Sequence, residues 1–429
     1  MNYIDSVDIL GFWGNKNVHI NFHEDVNFLI GANGSGKTTI INLISAVLRA
    51  DISVLYSEKF KKIVIGLKAI GANRKPQIEV SKVVDSEMGN FKLEFVIKGK
   101  ASDQGASYVV EGPDENRIYN EYILPKHSRF REDGQRLGQI IAELVEVNWL
   151  SIHRTNISSE RLFHHQEVIE SPIDQKMDEI SQSFSNYFSL LSSKAEAESK
   201  SFQENVFLSL LDQSHDTERV FQEANADTFN KVDAIGVLED FGISKSKATK
   251  SVNSHYSRIK KANERMHEEN AREFNLADAF TLSDTLRIIE MVQKWKDLQS
   301  KISAIFLPRN IFEDIINKLF SGKEIHFDAR NTPKVHLRSG DKVDISVLSS
   351  GEKQLFILLG EALLQEERPV VFISDEPELS LHVDWQSSLF SNVRKLNSSC
   401  QVISATHSPD IVGRFQKNII KVEDCISDV

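Results

Sequence analysis

Nine consecutive residues near the N-terminus have the types and the spacing of a phosphate-binding loop. The run Gly31-Ala32-Asn33-Gly34-Ser35-Gly36-Lys37-Thr38-Thr39 fits the pattern G-x-x-x-x-G-K-[ST]. The glycines let successive backbone N–H groups turn toward phosphate oxygens. Lys37 can reach the β- and γ-phosphates, and the Thr38 hydroxyl can coordinate Mg²⁺. The run therefore predicts a site for a nucleoside triphosphate and its magnesium ion.

The residues on either side of this loop have the patterns that such a loop requires. Val26 to Ile30 form a short apolar run suited to a buried strand, and Thr39 to Ile44 have the apolar spacing of a helix. The alternative is a chance glycine-rich turn. A strand before the loop and a helix after it favour the phosphate-binding interpretation.

A second segment with catalytic residue types is an apolar run that ends in two carboxylates. Pro369 to Ser374 read as a buried strand, and Asp375 and Glu376 follow it. Asp375 can coordinate Mg²⁺, directly or through water. Glu376 would face the γ-phosphate and polarise the attacking water. The alternative is an exposed acidic turn after a core strand, which the upstream loop disfavours.

A third segment, Leu348-Ser349-Ser350-Gly351-Glu352-Lys353-Gln354, has the pattern of a helix start. Ser349 can cap the helix, and Gly351 allows a close approach of backbone to ligand. A helix N-terminus binds anions, so this one suits a γ-phosphate. A plain N-cap without a ligand is the alternative.

A fourth segment, Gln401 to Pro409, reads as a strand that ends near His407. His407 can donate a hydrogen bond to the γ-phosphate and orient the water. A histidine at a strand end is more often structural, but its place about thirty residues after Glu376 favours a catalytic role.

Together these segments resemble the SMC/RecF/OLD branch of ABC-type ATPases. Residues 348–354 are similar to the LSGGQ signature, with Ser350 and Glu352 in place of a glycine and the glutamine. The run Asp375-Glu376-Pro377-Glu378-Leu379-Ser380-Leu381-His382 joins a Walker B end to a D-loop, and Asn33 is typical of the branch. The resemblance covers residues 1–155 and 310–415 and implies ATP and Mg²⁺ as ligands.

One departure from the family pattern concerns the glutamine expected after the strand that follows the β-subdomain. Trp149 to Asn156 occupy that place and contain no glutamine. His153 or Arg154 is the alternative contact to nucleotide or to a partner.

The resemblance implies an α/β fold: an ABC-ATPase-type P-loop head with an antiparallel β-subdomain and a helical insertion. We expect an N-terminal half of the head over residues 1–157, the insertion over 158–309 and the C-terminal half over 310–429. It also implies a head-to-tail homodimer with two composite ATP sites, in which Ser349 of one copy faces Lys37 of the other. Higher oligomers built from such dimers are also plausible.

The central segment has the composition of long helices. No proline occurs between Pro172 and Pro308, and heptad-like apolar seams run from Ile173 to Leu191 and from Ile288 to Ile305. A capping box at Thr281 and Asp284 is expected before the second seam. Because each seam lasts only about three heptads, an ordinary helical subdomain is favoured over a protruding coiled coil.

The length, charge and composition of the whole chain exclude several classes of function. The chain has 429 residues, a net charge of −11 and two cysteines, and it shows neither a signal peptide nor an apolar run of membrane-spanning length. We therefore expect a cytoplasmic protein without membrane contact that is not built to coat DNA. Two local basic patches, Lys59–Lys62 and Arg258–Lys261, are interpreted as solvated faces, with nucleic-acid contact as the alternative.

Three functions are consistent with these features of the sequence. The first is an ATPase whose ATP-dependent assembly regulates a nuclease effector acting in trans, as in anti-phage systems such as Septu and PARIS. It is favoured because the acidic net charge, the compact length and the short helical insertion argue against a dedicated DNA clamp. Only 22 residues follow His407, so we expect any nuclease to act in trans. The second is a RecF- or SMC-like ATPase that binds DNA during repair. The third is an ATP-sensing scaffold that hydrolyses ATP slowly.

Overall fold

A computed structural model describes residues 2–71, 74–84, 91–100, 103–111, 128–150, 171–211, 223–267, 275–379 and 381–428. The chain divides into two compact units, one made of Met1–Ser185 with Ile311–Val429 and the other of Asn186–Asn310. The expected domain boundary at 157/158 lies outside the described residues, and the one at 309/310 falls inside a helix. Both boundaries stay predictions.

Within the described residues, the strands all belong to the first unit and form three sheets. In chain order they are β1 Asn2–Phe12, β2 Lys16–Asn21, β3 Val26–Ile30, β4 Lys62–Ala69, β5 Gln77–Val84, β6 Phe91–Lys98, β7 Ala106–Glu111, β8 Glu146–Leu150, β9 Lys323–Phe327, β10 Pro333–Leu337, β11 Lys342–Asp344, β12 Val370–Asp375, β13 Gln401–Ala405, β14 Ile419–Lys421 and β15 Ile426–Asp428.

The helices belong to both units. In chain order they are α1 Lys37–Arg49, α2 Ile52–Ser57, α3 Ser128–Leu144, α4 Pro172–Leu211, α5 Lys231–Asp240, α6 Lys245–His267, α7 Leu276–Leu319, α8 Ser350–Leu364, α9 Val383–Gln386, α10 Leu389–Leu396 and α11 Pro409–Val412.

A five-stranded parallel sheet in the order β14-β3-β13-β12-β8 is the centre of the first unit. All of β13 and nearly all of β3 and β12 are buried, as expected for a parallel sheet covered on both faces. Apolar side chains of α1, such as Ile41 and Ile44, share one core with Ile373 of β12 and Ile9 of β1. Helix α1 is thereby held against both the parallel sheet and the antiparallel sheet described next.

A seven-stranded antiparallel sheet in the order β15-β2-β1-β4-β5-β6-β7 forms the expected β-subdomain. A small antiparallel sheet, β11-β10-β9, completes the first unit. Strand β5 extends over Gln77 to Val84. The turn between β1 and β2 lies at Trp13 to Asn15, because Lys16 already pairs with Phe12.

Helices α4 and α7 are the two long helices predicted for the centre of the chain. The capping box predicted at Thr281 and Asp284 is wrong, because α7 begins earlier, at Leu276. The Asn275 side chain accepts hydrogen bonds from the N–H groups of Ala277 and Asp278, so it caps the helix, whereas Thr281 lies inside it. Helix α7 continues through Pro308 to Leu319.

The second unit is helical and has a small core of its own. Ala234 of α5 packs with Val252 and Ile259 of α6 and with Leu282 and Leu286 of α7. Within this unit α4 and α7 also meet through an ion pair between Glu198 and Lys301 and a ring contact between Phe202 and Trp295. As the residue number rises along α4 it falls along α7, so the two helices run antiparallel here.

The α/β fold with an antiparallel β-subdomain and a helical insertion is therefore confirmed. The coiled-coil alternative stays a prediction. Across the described ranges, every helix is too short or too polar to span a lipid bilayer.

Phe184 of α4 gives a test of how the first unit is held together. Its buried ring lies 5.0 Å from the ring of Phe312, 5.5 Å from that of Phe356 and 5.6 Å from that of Phe327. We expect Phe184→Ala to lower the free energy of unfolding by about 3–5 kcal/mol, because it leaves a cavity among the three remaining aromatic rings.

Denaturant unfolding followed by circular dichroism measures this effect. Phe207→Ala is the matched control, since Phe207 lies on the same helix but is 71% exposed. Equal losses for the two variants would contradict the assigned packing.

Candidate functional site

Three neighbouring parallel strands bring the predicted site residues to one edge of the sheet. Strand β13 lies between β3 and β12, and all three end at this edge. The phosphate loop follows β3, Glu376 follows β12, and His407 follows β13. Ligands of open α/β sheets bind at the carboxyl ends of the strands. This edge is therefore where a nucleotide would bind.

The phosphate loop has the backbone conformation that its glycines predict. Gly34 and Gly36 have φ angles of 81° and 98°, which non-glycine residues rarely adopt. Gly36 also precedes the first turn of α1. The Lys37 side chain, only 4% exposed, folds back so that Nζ donates hydrogen bonds to the carbonyls of Gly31, at 2.8 Å, and Ala32, at 3.1 Å.

Other atoms of the loop fit a phosphate ligand. Ala32, Asn33 and Gly34 are exposed at the outer side of the loop. The Ser35 Oγ is buried and has no hydrogen-bond partner among the described residues. Buried hydroxyls almost always have a partner, so this atom is suited to a ligand oxygen.

Thr38 and Asp375 form the predicted magnesium pair. Thr38 Oγ1 donates a hydrogen bond to Asp375 Oδ1 over 3.2 Å. Adjacent oxygen ligands of an octahedral Mg²⁺ lie about 3 Å apart, so both atoms suit one ion. Across the described ranges, no three His, Cys, Asp or Glu side chains form a metal-binding group, and a nucleotide-bound Mg²⁺ typically needs only one or two protein ligands.

Glu376 and His407 lie side by side at the edge of the sheet. Glu376 Oε1 is 3.6 Å from His407 Nε2, and both side chains are partly exposed. Glu376 has a φ angle of 47°, an unfavourable conformation for a residue with a side chain. A backbone hydrogen bond from its N–H to Ala405 O, 2.9 Å long, helps to hold it there. Such strained residues are concentrated at functional sites.

The predicted signature residues form a complete helix cap. Ser349 accepts a hydrogen bond from the Glu352 N–H, and the Glu352 carboxylate accepts one from the Ser349 N–H. Burial raises the pKa of Glu352, but hydrogen bonds from Lys323 and Ser349 outweigh burial and hold this pKa below its usual value. Among the described residues, neither Ser349 nor Gly351 hydrogen-bonds to the phosphate loop.

Three residues considered from the sequence lie outside the described ranges. They are His153 and Arg154, the alternatives to the missing glutamine, and Ser380 in the D-loop.

Trp13 is a site residue that the sequence reasoning missed. It has a φ angle of 53°, is 39% exposed and stacks on Phe12 with ring centroids 4.5 Å apart. A side chain at Gly36 would contact both rings, so the aromatic pair lies against the phosphate loop. An exposed indole here offers a surface for a nucleotide base. The signal in the sequence was the aromatic pair between Gly11 and Gly14.

Glu423 is a second residue that was missed. Its Oε1 accepts a hydrogen bond of 2.7 Å from the Ala32 N–H, and a side chain at Gly31 would collide with its carboxylate. This bond and the positive charge of Lys37 lower the pKa of Glu423. Nothing local in the sequence indicates the contact, because 391 residues separate its partners.

The comparison with known families agrees with this geometry. The model of the AAA ATPase domain matches residues 3–412. The chain belongs to the AAA ATPase domain family.

Solved structures similar to this AAA ATPase domain include Smc heads. The Smc head domain from Pyrococcus furiosus, with an extended coiled coil and bound to the C-terminal domain of ScpA, is 16% identical, with coverage of 100% and 96% of the two chains and a TM-score of 0.43. The Smc head from Pyrococcus yayanosii, with a coiled coil and joint, is 14% identical, with coverage of 98% and 95% and a TM-score of 0.39. An SmcHead bound to the C-winged helix domain of ScpA is 13% identical, with coverage of 100% and 97% and a TM-score of 0.44.

Glu423 gives a test of the electrostatics of the loop. Its carboxylate carries a negative charge beside the place where ATP phosphates would bind. We expect Glu423→Gln to tighten ATP binding about two- to fivefold, the size typical of an exposed charge interaction. Because the pKa of Glu423 lies below its usual value, the carboxylate is ionised at pH 6 and at pH 8. The gain in affinity should therefore be the same at both pH values.

Isothermal titration calorimetry with ATP and Mg²⁺ at the two pH values measures this gain. Asp424→Asn makes the same charge change at the neighbouring exposed residue and serves as the control. Weaker ATP binding by Glu423→Gln would show that the carboxylate helps to hold the nucleotide.

Proposed function

We propose that this AAA ATPase-domain protein binds ATP and Mg²⁺ at the phosphate loop and hydrolyses ATP with Glu376 and His407. We further propose that ATP joins two copies of the chain, and that this assembly regulates an effector protein, a nuclease encoded in trans, in anti-phage defence. The observation that carries the ATPase part is the meeting of Lys37, Thr38, Asp375, Glu376 and His407 at the carboxyl ends of three adjacent strands.

The geometry supports separate roles for Glu376 and His407 in hydrolysis. Glu376 accepts a proton from the water that attacks the γ-phosphorus, while His407 donates a hydrogen bond to a γ-phosphate oxygen. Lys37 exchanges its loop carbonyls for phosphate oxygens. Thr38 and Asp375 would hold Mg²⁺, which supplies charge neutralisation on the phosphates. The bond from the γ-phosphorus to the bridging oxygen breaks, giving ADP and phosphate.

Pairing of two copies is supported by the N-terminus of α8. Ser349 and Ser350 are exposed there, and the side chain of Val347 just before them is also exposed. A capped helix N-terminus open to solvent can bind an anion on a second molecule. In the proposed dimer, that anion is the γ-phosphate of an ATP bound to the phosphate loop of the other copy.

Regulation of an effector is supported by apolar side chains exposed on the helical unit. Phe207, Leu208 and Leu211 of α4 are each more than 60% exposed. Clustered exposed apolar side chains are typical of protein-binding surfaces. Co-purification with the products of neighbouring genes, with and without ATP, tests this part, and a neighbourhood without a nuclease or other effector would contradict it.

Glu376→Gln separates hydrolysis from binding. We expect kcat to fall at least about 100-fold, because the proton acceptor is lost, while ATP still binds. A stable ATP-bound dimer should then accumulate. Phosphate release and light scattering after size exclusion measure the two effects.

Lys37→Ala is the companion variant, and it should abolish ATP binding and the ATP-dependent dimer together. Hydrolysis by Glu376→Gln at the wild-type rate would refute the role of Glu376. A wild-type rate already as low as that of the variant would instead support the ATP-sensing scaffold.

A second candidate function, a nucleic-acid-binding ATPase, is favoured by the surface of α6. This helix carries seven Lys or Arg residues and one Glu, in a chain whose net charge is −11. Lys247, Lys250, Arg258 and Lys261 are exposed at spacings of three, eight and three residues, which places them on one side. The opposite side packs in the core through residues such as Val252 and Ile259.

The chemistry of this face suits a phosphate backbone. Exposed Ser254 lies among the cations and can donate a hydrogen bond to a phosphate oxygen. Among the described residues, none of the exposed large apolar side chains lies on α6. An anionic membrane or a protein partner would call for such side chains.

Charge reversal tests this second function. We expect Lys247→Glu/Lys250→Glu/Lys261→Glu to weaken binding of duplex DNA and to reduce the slope of log K against log salt concentration by about 2 to 3. Fluorescence anisotropy over a salt series measures both.

The control triple variant changes exposed Lys194, Lys200 and Lys294 to Glu, with the same change in net charge. Equal losses in the two triple variants would contradict a specific role for α6, and no binding by the wild type, with or without ATP, would exclude this second function.

A further inference from the structure

Glu378 is a buried carboxylate that the hydrolysis scheme above does not use. It lies two residues after Glu376 and is 8% exposed. Its Oε1 accepts hydrogen bonds from Thr406 Oγ1 at 2.5 Å, from the His407 N–H at 3.0 Å and from the Ser408 N–H at 3.2 Å. One oxygen atom thus binds three consecutive residues around the histidine.

The other oxygen of Glu378 makes this arrangement costly. Oε2 is buried and has no hydrogen-bond partner among the described residues. A buried carboxylate oxygen without a partner destabilises the folded chain. An uncharged side chain would fill this volume at lower cost, so the bonds made by Oε1 need a reason beyond packing.

The segment that holds Glu378 is itself fixed from a second side. Gln354 of α8 is buried and donates a hydrogen bond to Pro377 O over 3.2 Å. The Leu381 N–H bonds to Glu378 O over 2.9 Å. Glu378 is therefore held on a rigid support and does not move freely with the residues that it binds.

Glu376 and Glu378 both form hydrogen bonds to the segment from Ala405 to Ser408. The Glu376 N–H donates to Ala405 O, and Glu378 accepts from the residues that follow. The 3.6 Å separation between the side chains of Glu376 and His407 lies between these two attachments. Thr406 and Ser408 keep other bonds, to Leu29 O and to Gln386 Oε1, but the His407 N–H would lose the acceptor that Glu378 provides.

We propose that Glu378 is a positioning residue that fixes His407 against Glu376 for ATP hydrolysis. This proposal rests on the proposed ATPase function. Glu378 does not touch the nucleotide; it acts through the backbone of His407. The role should therefore appear in kcat and leave ATP affinity unchanged.

Two substitutions at Glu378 separate positioning from charge. Glu378→Ala removes the acceptor, and we expect kcat to fall about 10- to 100-fold with KM for ATP unchanged within twofold, because misplacement of a catalytic group by about 1 Å can cost that much. Glu378→Gln keeps an acceptor oxygen in place and should restore kcat to within about threefold of the wild type.

Glu367→Ala is the matched control for loss of a carboxylate that accepts hydrogen bonds from another segment of the chain. Glu367 Oε2 also accepts hydrogen bonds from a backbone N–H and a hydroxyl, both of Ser398, but at an exposed site. Its kcat should equal that of the wild type. Wild-type kcat in folded Glu378→Ala, or equal losses in Glu378→Ala and Glu378→Gln, would overturn the proposal.

Amide hydrogen exchange gives a readout that does not need turnover. The N–H group of His407 should exchange at least tenfold faster in Glu378→Ala than in the wild type or in Glu378→Gln, whereas the Ser408 N–H keeps Thr406 Oγ1 as an acceptor and should change less. If Glu378→Ala does not fold, Thr406→Val, which removes one donor to Glu378, takes its place with a smaller loss of kcat. Unchanged exchange at His407 would overturn the proposal, whereas an inactive wild type with the expected exchange pattern would refute only the ATPase function.

Discussion

The register of the parallel sheet is the constraint on which the site depends. Asp375 of β12 pairs with Ala405 of β13, and Ala405 pairs with Leu29 of β3. The three strands therefore end level with one another, and the residues that follow them meet. A shift of β13 by one residue would reverse the faces of its side chains and move His407 away from Glu376. Burial of these strands stabilises one register, so apolar packing fixes the polar geometry.

Much of the site could be predicted from the sequence because its signals are local. The phosphate loop follows a recognisable apolar strand, and Asp375 and Glu376 lie at the end of another. In the structure β3 ends directly before the loop, Asp375 is the last residue of β12, and Glu376 follows it. The cap at Ser349 was also readable, because a capping box spans only four residues. The capping box predicted at Thr281 was wrong because a stronger capping residue precedes it in the sequence. Asn275 caps α7, so Thr281 lies inside the helix.

The contacts that the sequence did not reveal join distant parts of the chain. Glu378 reaches His407 only because β12 and β13 are neighbours, and Glu423 reaches Ala32 only because β14 pairs with β3. Neither carboxylate has a type or a spacing that marks its partner. A single sequence carries no direct record of pairing between strands so far apart, and the missed residues are those whose role depends on it.

The phosphate loop contains charged groups that the phosphates of the proposed ATP ligand would contact, and these groups would affect its affinity. Lys37 Nζ donates hydrogen bonds to the loop carbonyls, and Glu423 Oε1 accepts the hydrogen bond of the Ala32 N–H. A nucleotide must therefore replace existing bonds, so that its affinity reflects the difference between two sets of contacts. The same exchange links nucleotide binding to the antiparallel sheet. Glu423 lies in the short 3-10 helix Val422–Cys425, which follows β14 and leads into β15, and β15 pairs with β2. Displacement of Glu423 would therefore shift the residues that lead into β15, the edge strand of the antiparallel sheet, at some distance from the phosphates.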